Sequence, residues 1–203
     1  GAGLYYLHDK DAMTAERVLF TQVMNLATND PEKAMRYMAY TAMDAQAKKE
    51  AAGIVCGRRQ EAGAVYAFSL SWHPDEVVSK AEMVDAAQVC LKRLGLCSHE
   101  AVLVGHGDTE HLHIHVIVNL VQPDTGKVAS IRQDQRVLSA WALEYEQARG
   151  VVYCEERERN AERREKGELT KYQDERVRDA PDIAALYRSC DTGRAFAAAL
   201  EEA

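Results

Sequence analysis

The segment Leu112-His-Ile-His-Val-Ile-Val-Asn119 constrains the fold more than any other stretch of the chain. Its side chains alternate, so on a strand His113, His115, Ile117 and Asn119 project from one face and Leu112, Ile114, Val116 and Val118 from the other. A slip of one residue would bury the imidazoles and expose the aliphatics, so the apolar pattern itself pins the register. Ala101-Val-Leu-Val-Gly105 is a second short apolar run, joined to the first by a polar stretch, which predicts an antiparallel hairpin. In that hairpin His106, at the end of the first strand, returns close to His113, and three imidazoles converge above one sheet.

The flanking sequence supplies the remaining elements. Arg17–Met24, rich in β-branched and aromatic residues, reads as a strand. Val65–Trp72 is the best alternating strand, with Tyr66, Phe68, Leu70 and Trp72 on one face and Val65, Ala67, Ser69 and Ser71 on the other. Asn29-Asp30-Pro31-Glu32 starts a helix predicted to run to about Ala51, burying Ala34, Met38, Thr41 and Ala42. Ser79-Lys-Ala-Glu82 is a capping box for a helix to about Leu94, closed by Gly95. Another helix is predicted from about Asp134 to Arg149. From Glu155 to Arg178 the chain is mostly Glu, Arg and Lys without an apolar stripe, a solvated helix or linker. Asp182–Ala203 reads as a short helical ending.

At 203 residues with 47% apolar residues, the chain has enough length for one domain plus an appendage and a real core. Its composition excludes collagen-like, low-complexity and disordered classes, and no apolar run approaches the ~20 residues of a membrane-spanning helix. The chain opens at Gly1 without Met, as a processed protein or a fragment would, and nothing at its start resembles a signal peptide. Five cysteines (56, 90, 97, 154 and 190), with no CxxC pair, read as reduced thiols of a cytoplasmic protein. The balance is acidic, 25 Lys+Arg against 32 Asp+Glu for a formal charge of −7. That counts against non-specific phosphate binding, unless the basic groups gather on one face.

Three neutral imidazoles with open positions beside them are a common catalytic metal arrangement, which makes His106, His113 and His115 the predicted ligands. Asp108 could orient one imidazole as an outer-sphere carboxylate, or simply form a turn. Such a metal can polarise a phosphoryl oxygen or activate water. The small polar face carrying Ser69 and Ser71 would let a backbone phosphate approach. Tyr5 or Tyr6 is an available nucleophile, since a phenol next to a metal or a base becomes nucleophilic at neutral pH.

These residues resemble the relaxases of the HUH endonuclease superfamily, the single-tyrosine nickases that start plasmid mobilisation. His106-Gly-Asp108-Thr followed by His113-Ile-His115-Val-Ile-Val-Asn119 is similar to the family's metal motif. Ser69-Leu-Ser71-Trp72 is similar to its strand whose serine contacts DNA near the scissile phosphate. Leu4-Tyr5-Tyr6-Leu7, with a TERV-like run at Thr14–Val18, resembles the catalytic-tyrosine segment, in which an aliphatic residue follows the tyrosine and so favours Tyr6. The resemblance covers about residues 4–150.

It implies an α+β fold: an antiparallel sheet of about five strands, with helices on one face and the metal on the other, and a relaxase domain over 1–150. Residues 151–203 are then a charged helical extension. The implied activity is metal-assisted transesterification on single-stranded DNA at an origin of transfer, leaving a 5′-phosphotyrosine at Tyr6 and a free 3′-hydroxyl. His106, His113 and His115 would hold Mg or Mn in use, and could take Zn, Ni or Co. Asp108 would orient a histidine or receive a proton. Ser71, Asn119, Arg58 and Arg59 would contact DNA, and accessory relaxosome and secretion-coupling proteins would be partners. Tyr37 and Tyr40 are back-up nucleophiles, better explained by packing.

Two other readings compete. His111-Leu-His113-Ile-His115-Val-Ile also satisfies the histidine-triad pattern of nucleotide hydrolases, in which a histidine is phosphorylated. A catalytically silent DNA-binding module is the non-enzymatic alternative.

Overall fold

The structure, a computed structural model, describes residues 6–7, 17–55 and 63–202. Two compact units divide the chain, 1–138 and 139–203.

The first unit is built on a four-stranded antiparallel sheet: β1 (Val18–Met24), β2 (Val65–Ser71), β3 (Ala101–His106) and β4 (His113–Asn119), in the order β1-β3-β4-β2. The antiparallel α+β layer expected from the sequence is therefore present, with four strands among the described residues. β3 and β4 form the predicted hairpin, and its register sets His106 opposite His113 and Val104 opposite His115. Both central strands are buried almost throughout, while β2, an edge strand, alternates between exposed and covered residues as its sequence predicts. β1 carries a bulge: Val18 lies opposite His106 but Phe20 opposite Gly105, which leaves Leu19 as the extra residue. The Phe20 ring occupies the space that a Cβ on Gly105 would need.

Helix α1 (Pro31–Met43) is capped by Asp30, whose carboxylate accepts the amides of Glu32 and Lys33 at 3.0 and 3.1 Å. The single helix expected to Ala51 is bent at Asp44 into α1 and a short α2 (Ala45–Ala51), although backbone bonds continue across the bend. There Lys48 donates to the Pro123 carbonyl at 2.7 Å, and the bare Cα of Gly126, at φ +69°, lies close to the Ala45 carbonyl. α3 (Lys80–Arg93) has the predicted Ser79–Glu82 capping box, and Gly95 follows it at φ +74°.

Helices cover both sides of the sheet, which departs from the expected division into a helical face and a metal face. α3 packs on β3 and β4 with Met83, Ala86, Ala87, Cys90 and Leu91 buried, and its Lys80 lies over the Phe20 ring. This is the side of Leu103, Ile114, Val116 and Val118. Burial raises the Cys90 thiol to about 12, so it is an inert packing group. α1 takes part of the histidine side: Ala34 and Met38 join Leu7, Val23, Val102, Val104 and Ile117 in one apolar cluster. The reason lies in the lower half of that face, where Val102 and Ile117 replace imidazole with aliphatic surface that must leave water.

Below that cluster a buried polar knot ties α1 to the hairpin. The Asn119 side chain donates to the Met38 carbonyl at 3.0 Å and to Glu100 at 2.9 Å, and its oxygen accepts from the Val121 amide at 3.0 Å. Thr41 donates to the other Glu100 oxygen at 2.8 Å. Asn25, in the left-handed region at φ 57°, fastens the end of β1 to the carbonyls of Cys97 and His99.

The second unit is helical. α4 (Asp134–Ala148) begins in the first unit, where Asp134 accepts a 2.7 Å bond from the Tyr66 hydroxyl; its later turns bury Trp141 and Leu143. α5 (Glu155–Glu165) is charged along its length, with Arg157 paired to Glu146 at 2.7 Å. α6 (Lys171–Ser189) and α7 (Gly193–Glu202) meet where the Tyr187 and Phe196 rings lie 5.3 Å apart, edge to face. The charged stretch thus forms α5 and the start of α6, broken between residues 166 and 170. No helix among the described residues is long and apolar enough to cross a membrane.

The knot predicts that Asn119→Ala takes the acceptor from the Val121 amide and one donor each from the Met38 carbonyl and from Glu100, which keeps its bond to Thr41. A loss of about 3 kcal/mol is expected, read as a lower urea midpoint with an unchanged slope.

Candidate metal centre

The hairpin register brings the predicted ligands together. The ring centroids of His106 and His113 are 5.2 Å apart, those of His106 and His115 4.7 Å, and those of His113 and His115 5.0 Å. One nitrogen from each ring lies within 4.8 Å of the others, the one such group of potential metal-ligating side chains among the described residues. His106 is 1% exposed, and the His113 side chain 14%. The chemistry of this donor set suits a first-row transition-metal ion, Mn included, and carboxylate-preferring Mg less well.

Electrostatics favour the lone pairs. Burial holds His115 down to about 4, helped by the neighbouring rings of His106 and His113 and by Arg17. His106 is also lowered, chiefly by burial, against a raising contribution from its bond to the Tyr6 carbonyl. Both are therefore neutral at pH 7, the form that binds metal. Two rings are oriented by backbone: His113 Nδ1 lies 3.0 Å from the His111 carbonyl, and His106 Nε2 lies 2.7 Å from that of Tyr6. A carbonyl can only accept, so each of those nitrogens carries the proton and the other nitrogen of each ring keeps its lone pair.

The remaining predicted residues divide. The Tyr6 ring sits 4.3 Å from the His115 ring, and Leu7, directly after it, is buried in the cluster beneath α1. An aliphatic residue after the tyrosine thus has a physical purpose, since it anchors the segment carrying the phenol. Asp108 approaches His113 Nε2 at 3.8 Å and is partly exposed. Ser71 lies opposite His113 in the β2–β4 ladder and Ser69 opposite His115, both exposed on the histidine side. Tyr5, Arg58 and Arg59 lie outside the described residues.

Asn119 requires a correction: it is fully buried at the far end of β4, and its amide is spent on Met38 and Glu100, so it is a fold-stabilising residue and cannot reach DNA here. The back-up tyrosines Tyr37 and Tyr40 are exposed on α1 and do not join the cluster. Sequence reasoning missed Arg17, whose charge is felt at both His106 and His115. Its place in the TERV-like run was the one available signal.

The histidine-triad alternative needs His111 beside His113 and His115. Instead His111 precedes β4, its Nδ1 bonds the Trp72 carbonyl at 2.9 Å, and its ring faces His73 at 6.3 Å. His106 completes the cluster in its place.

Comparison with known families identifies the domain. The family model for the relaxase nuclease domain of the MobA/VirD2-like type matches residues 6–151. The chain belongs to this relaxase family. Protein MobA of Acidithiobacillus ferrooxidans is 36% identical over 64 residues, a stretch covering 32% of this chain and 16% of that relative. No solved structure matches. The match to a relaxase nuclease domain starts at Tyr6 and takes in every element that carries the histidine cluster.

Two outcomes follow for this relaxase domain. His113→Ala should weaken Co or Mn binding by more than the roughly 10–100-fold that loss of an outer-sphere partner costs, and Asp108→Asn, which removes a negative charge beside the metal-facing Nε2, by less; calorimetric titration reads both. The metal-free protein should lose stability as pH falls. Unfolded histidine titrates near 6.5, so below that value the unfolded chain takes up protons that His106 and His115 still refuse. The loss therefore runs from pH ~6.5 down through the lowered folded values, about 4 for His115. Melting temperatures in chelator should trace that decline, and His115→Gln should flatten it.

Proposed function

We propose that this domain is a site- and strand-specific DNA nickase that cleaves single-stranded DNA at an origin of transfer for plasmid mobilisation. The carrying observation is the Tyr6 ring packed against His115 of the three-imidazole cluster. The Tyr6 hydroxyl oxygen attacks the scissile phosphorus, the bond from phosphorus to the 3′-oxygen breaks, and that oxygen leaves as a 3′-hydroxyl after taking a proton. Tyr6 keeps the 5′-phosphate as a phosphodiester, whose retained bond energy allows later rejoining. His106, His113 and His115 would hold a divalent ion, with Mn favoured over Mg by the imidazole donors, and that ion would supply positive charge at the phosphate oxygens.

The chain's own residues do the positioning. Leu7 holds the tyrosine segment against the core. The main-chain carbonyls of His111 and Tyr6 orient two imidazoles. Asp108, which lies beside the metal-facing Nε2 of His113 and so cannot orient that ring through a hydrogen bond, takes up a proton. Ser71 contacts the DNA backbone near the scissile phosphate, where the small side chains of β2 leave room, and Arg58 and Arg59 add backbone contacts. Residues 1–150 form the catalytic domain and 151–203 a helical extension. The protein works in the cytoplasm with accessory relaxosome and secretion-coupling proteins.

The test is a covalent adduct. Wild-type protein incubated with single-stranded DNA containing the cognate origin and Mn should give a protein–DNA band that survives denaturing electrophoresis. Tyr6→Phe should abolish it and Tyr5→Phe should retain it. An adduct that persists in Tyr6→Phe overturns the assignment. Sequence-specific binding by the wild type without any adduct favours the silent DNA-binding module.

A further inference from the structure

Helices α6 and α7 form a hairpin whose turn is well made and whose apolar face is not covered. Thr192 caps α7, accepting the Ala195 amide on its hydroxyl at 3.1 Å and the Phe196 amide on its carbonyl at 3.0 Å. The Tyr187 and Phe196 rings meet beside that turn and set the two helices level. α6 and α7 pack chiefly on each other, and between residues 178 and 201 no residue is buried. Ile183, Tyr187 and Leu200 remain 46%, 64% and 43% exposed. Ile183 and Tyr187 are one turn apart on α6, as are Phe196 and Leu200 on α7, so each helix leaves an apolar stripe in water. Helices with such stripes are stable when further helices cover them, as in a bundle.

The charges beside these stripes are sorted along the hairpin. Arg188 and Arg194 flank the turn, and Asp182 and Glu201 lie six and seven residues away from them along their own helices, about 10 Å of helical rise. All four side chains are exposed. Arg178 is spent on Asp179 at 2.8 Å, but these four have no ion pair among the described residues. Even with Asp191 in the turn, one end of the hairpin is positive and the other negative.

We propose that the α6–α7 hairpin is a self-association surface whose occupant is the same hairpin of a second copy, packed antiparallel into a four-helix bundle. A two-fold axis then sets the Arg188 and Arg194 of each chain against the Asp182 and Glu201 of the other, so each complementary pairing occurs twice. The parallel arrangement would set arginine against arginine. In the antiparallel one the two apolar faces also cover each other and leave water. The match of the hairpin to itself, in apolar stripe and in charge order together, is what selects a second copy as the occupant. This surface lies outside the metal centre and does not depend on the nickase reading.

The experiment follows the mass of the full chain by light scattering from about 1 μM to about 1 mM. The wild type should pass from one chain to two within that range, and added salt should move the midpoint to higher concentration. The double reversals Arg188→Glu/Arg194→Glu and Asp182→Arg/Glu201→Arg should each weaken the dimer by about 10-fold or more. Mixed in equal amounts, the two reversed proteins should associate again, because their charges are once more complementary.

A wild type that stays a single chain up to about 1 mM overturns the proposal. A dimer that neither reversal weakens also overturns it, since the contact then lies on another surface. Reversed proteins that remain apart when mixed overturn the antiparallel pairing. Should a double reversal lose helicity, the single reversals Arg194→Glu and Asp182→Arg decide by the same comparison, apart and mixed.

Discussion

The pairing of β3 with β4 is the interaction on which the rest depends. Its register sets His106 opposite His113 and Val104 opposite His115, so one face of one hairpin passes from imidazole to aliphatic within two residue pairs. The upper part of that face can bind a cation and the lower part must be covered. α1 covers the lower part with Ala34 and Met38 and stops short of the imidazoles. The Tyr6–Leu7 segment lies at that boundary, with Leu7 in the apolar cluster and the Tyr6 ring over His115. Core packing and the placement of the Tyr6 ring are therefore parts of a single structure.

Neutral imidazoles follow from the same packing. Burial is the first cause of the lowered pKa at both His106 and His115, ahead of any neighbouring charge. A hairpin lying open to water would leave these rings near their ordinary value and protonated in mild acid. The helix α1 covers the aliphatic half of the same face. The polar knot of Asn119, Glu100 and Thr41 fastens that helix, and it does so with neutral donors to both carboxylate oxygens.

Net charge proved a weak guide to the site. A chain at −7 looks poorly suited to nucleic acid, but charge at the histidine cluster is local: Asp108 lies 3.8 Å from His113, and Arg17 is felt at His106 and His115. In α5 the charges are sorted along the axis instead, with Glu155, Glu156 and Glu158 at the positive end of the helix dipole and Arg163 and Arg164 at the other. Global charge governs long-range attraction, whereas a phosphate already in place responds to the nearest cation.

Most of the framework was legible in the residues because period-two alternation and capping chemistry are local signals. The β4 faces, the β2 faces, the Asp30 cap and the Ser79–Glu82 box are each written within a few positions. The three histidines were legible for the same reason, as a hairpin converts short spacing into proximity. Other features depend on contacts between distant segments. Asn119 reads as a polar residue on the histidine face, and only the arrival of Met38, 81 positions away, makes it a buried link. The bulge at Leu19, the coverage of both sheet faces and the approach of Arg17 to the cluster are likewise set by how separate elements dock. Sequence by itself determined which side chains share a face, because that follows from backbone geometry within one element. Tertiary structure decided which of those faces meet water, metal or another helix, because burial depends on what the rest of the chain brings against them.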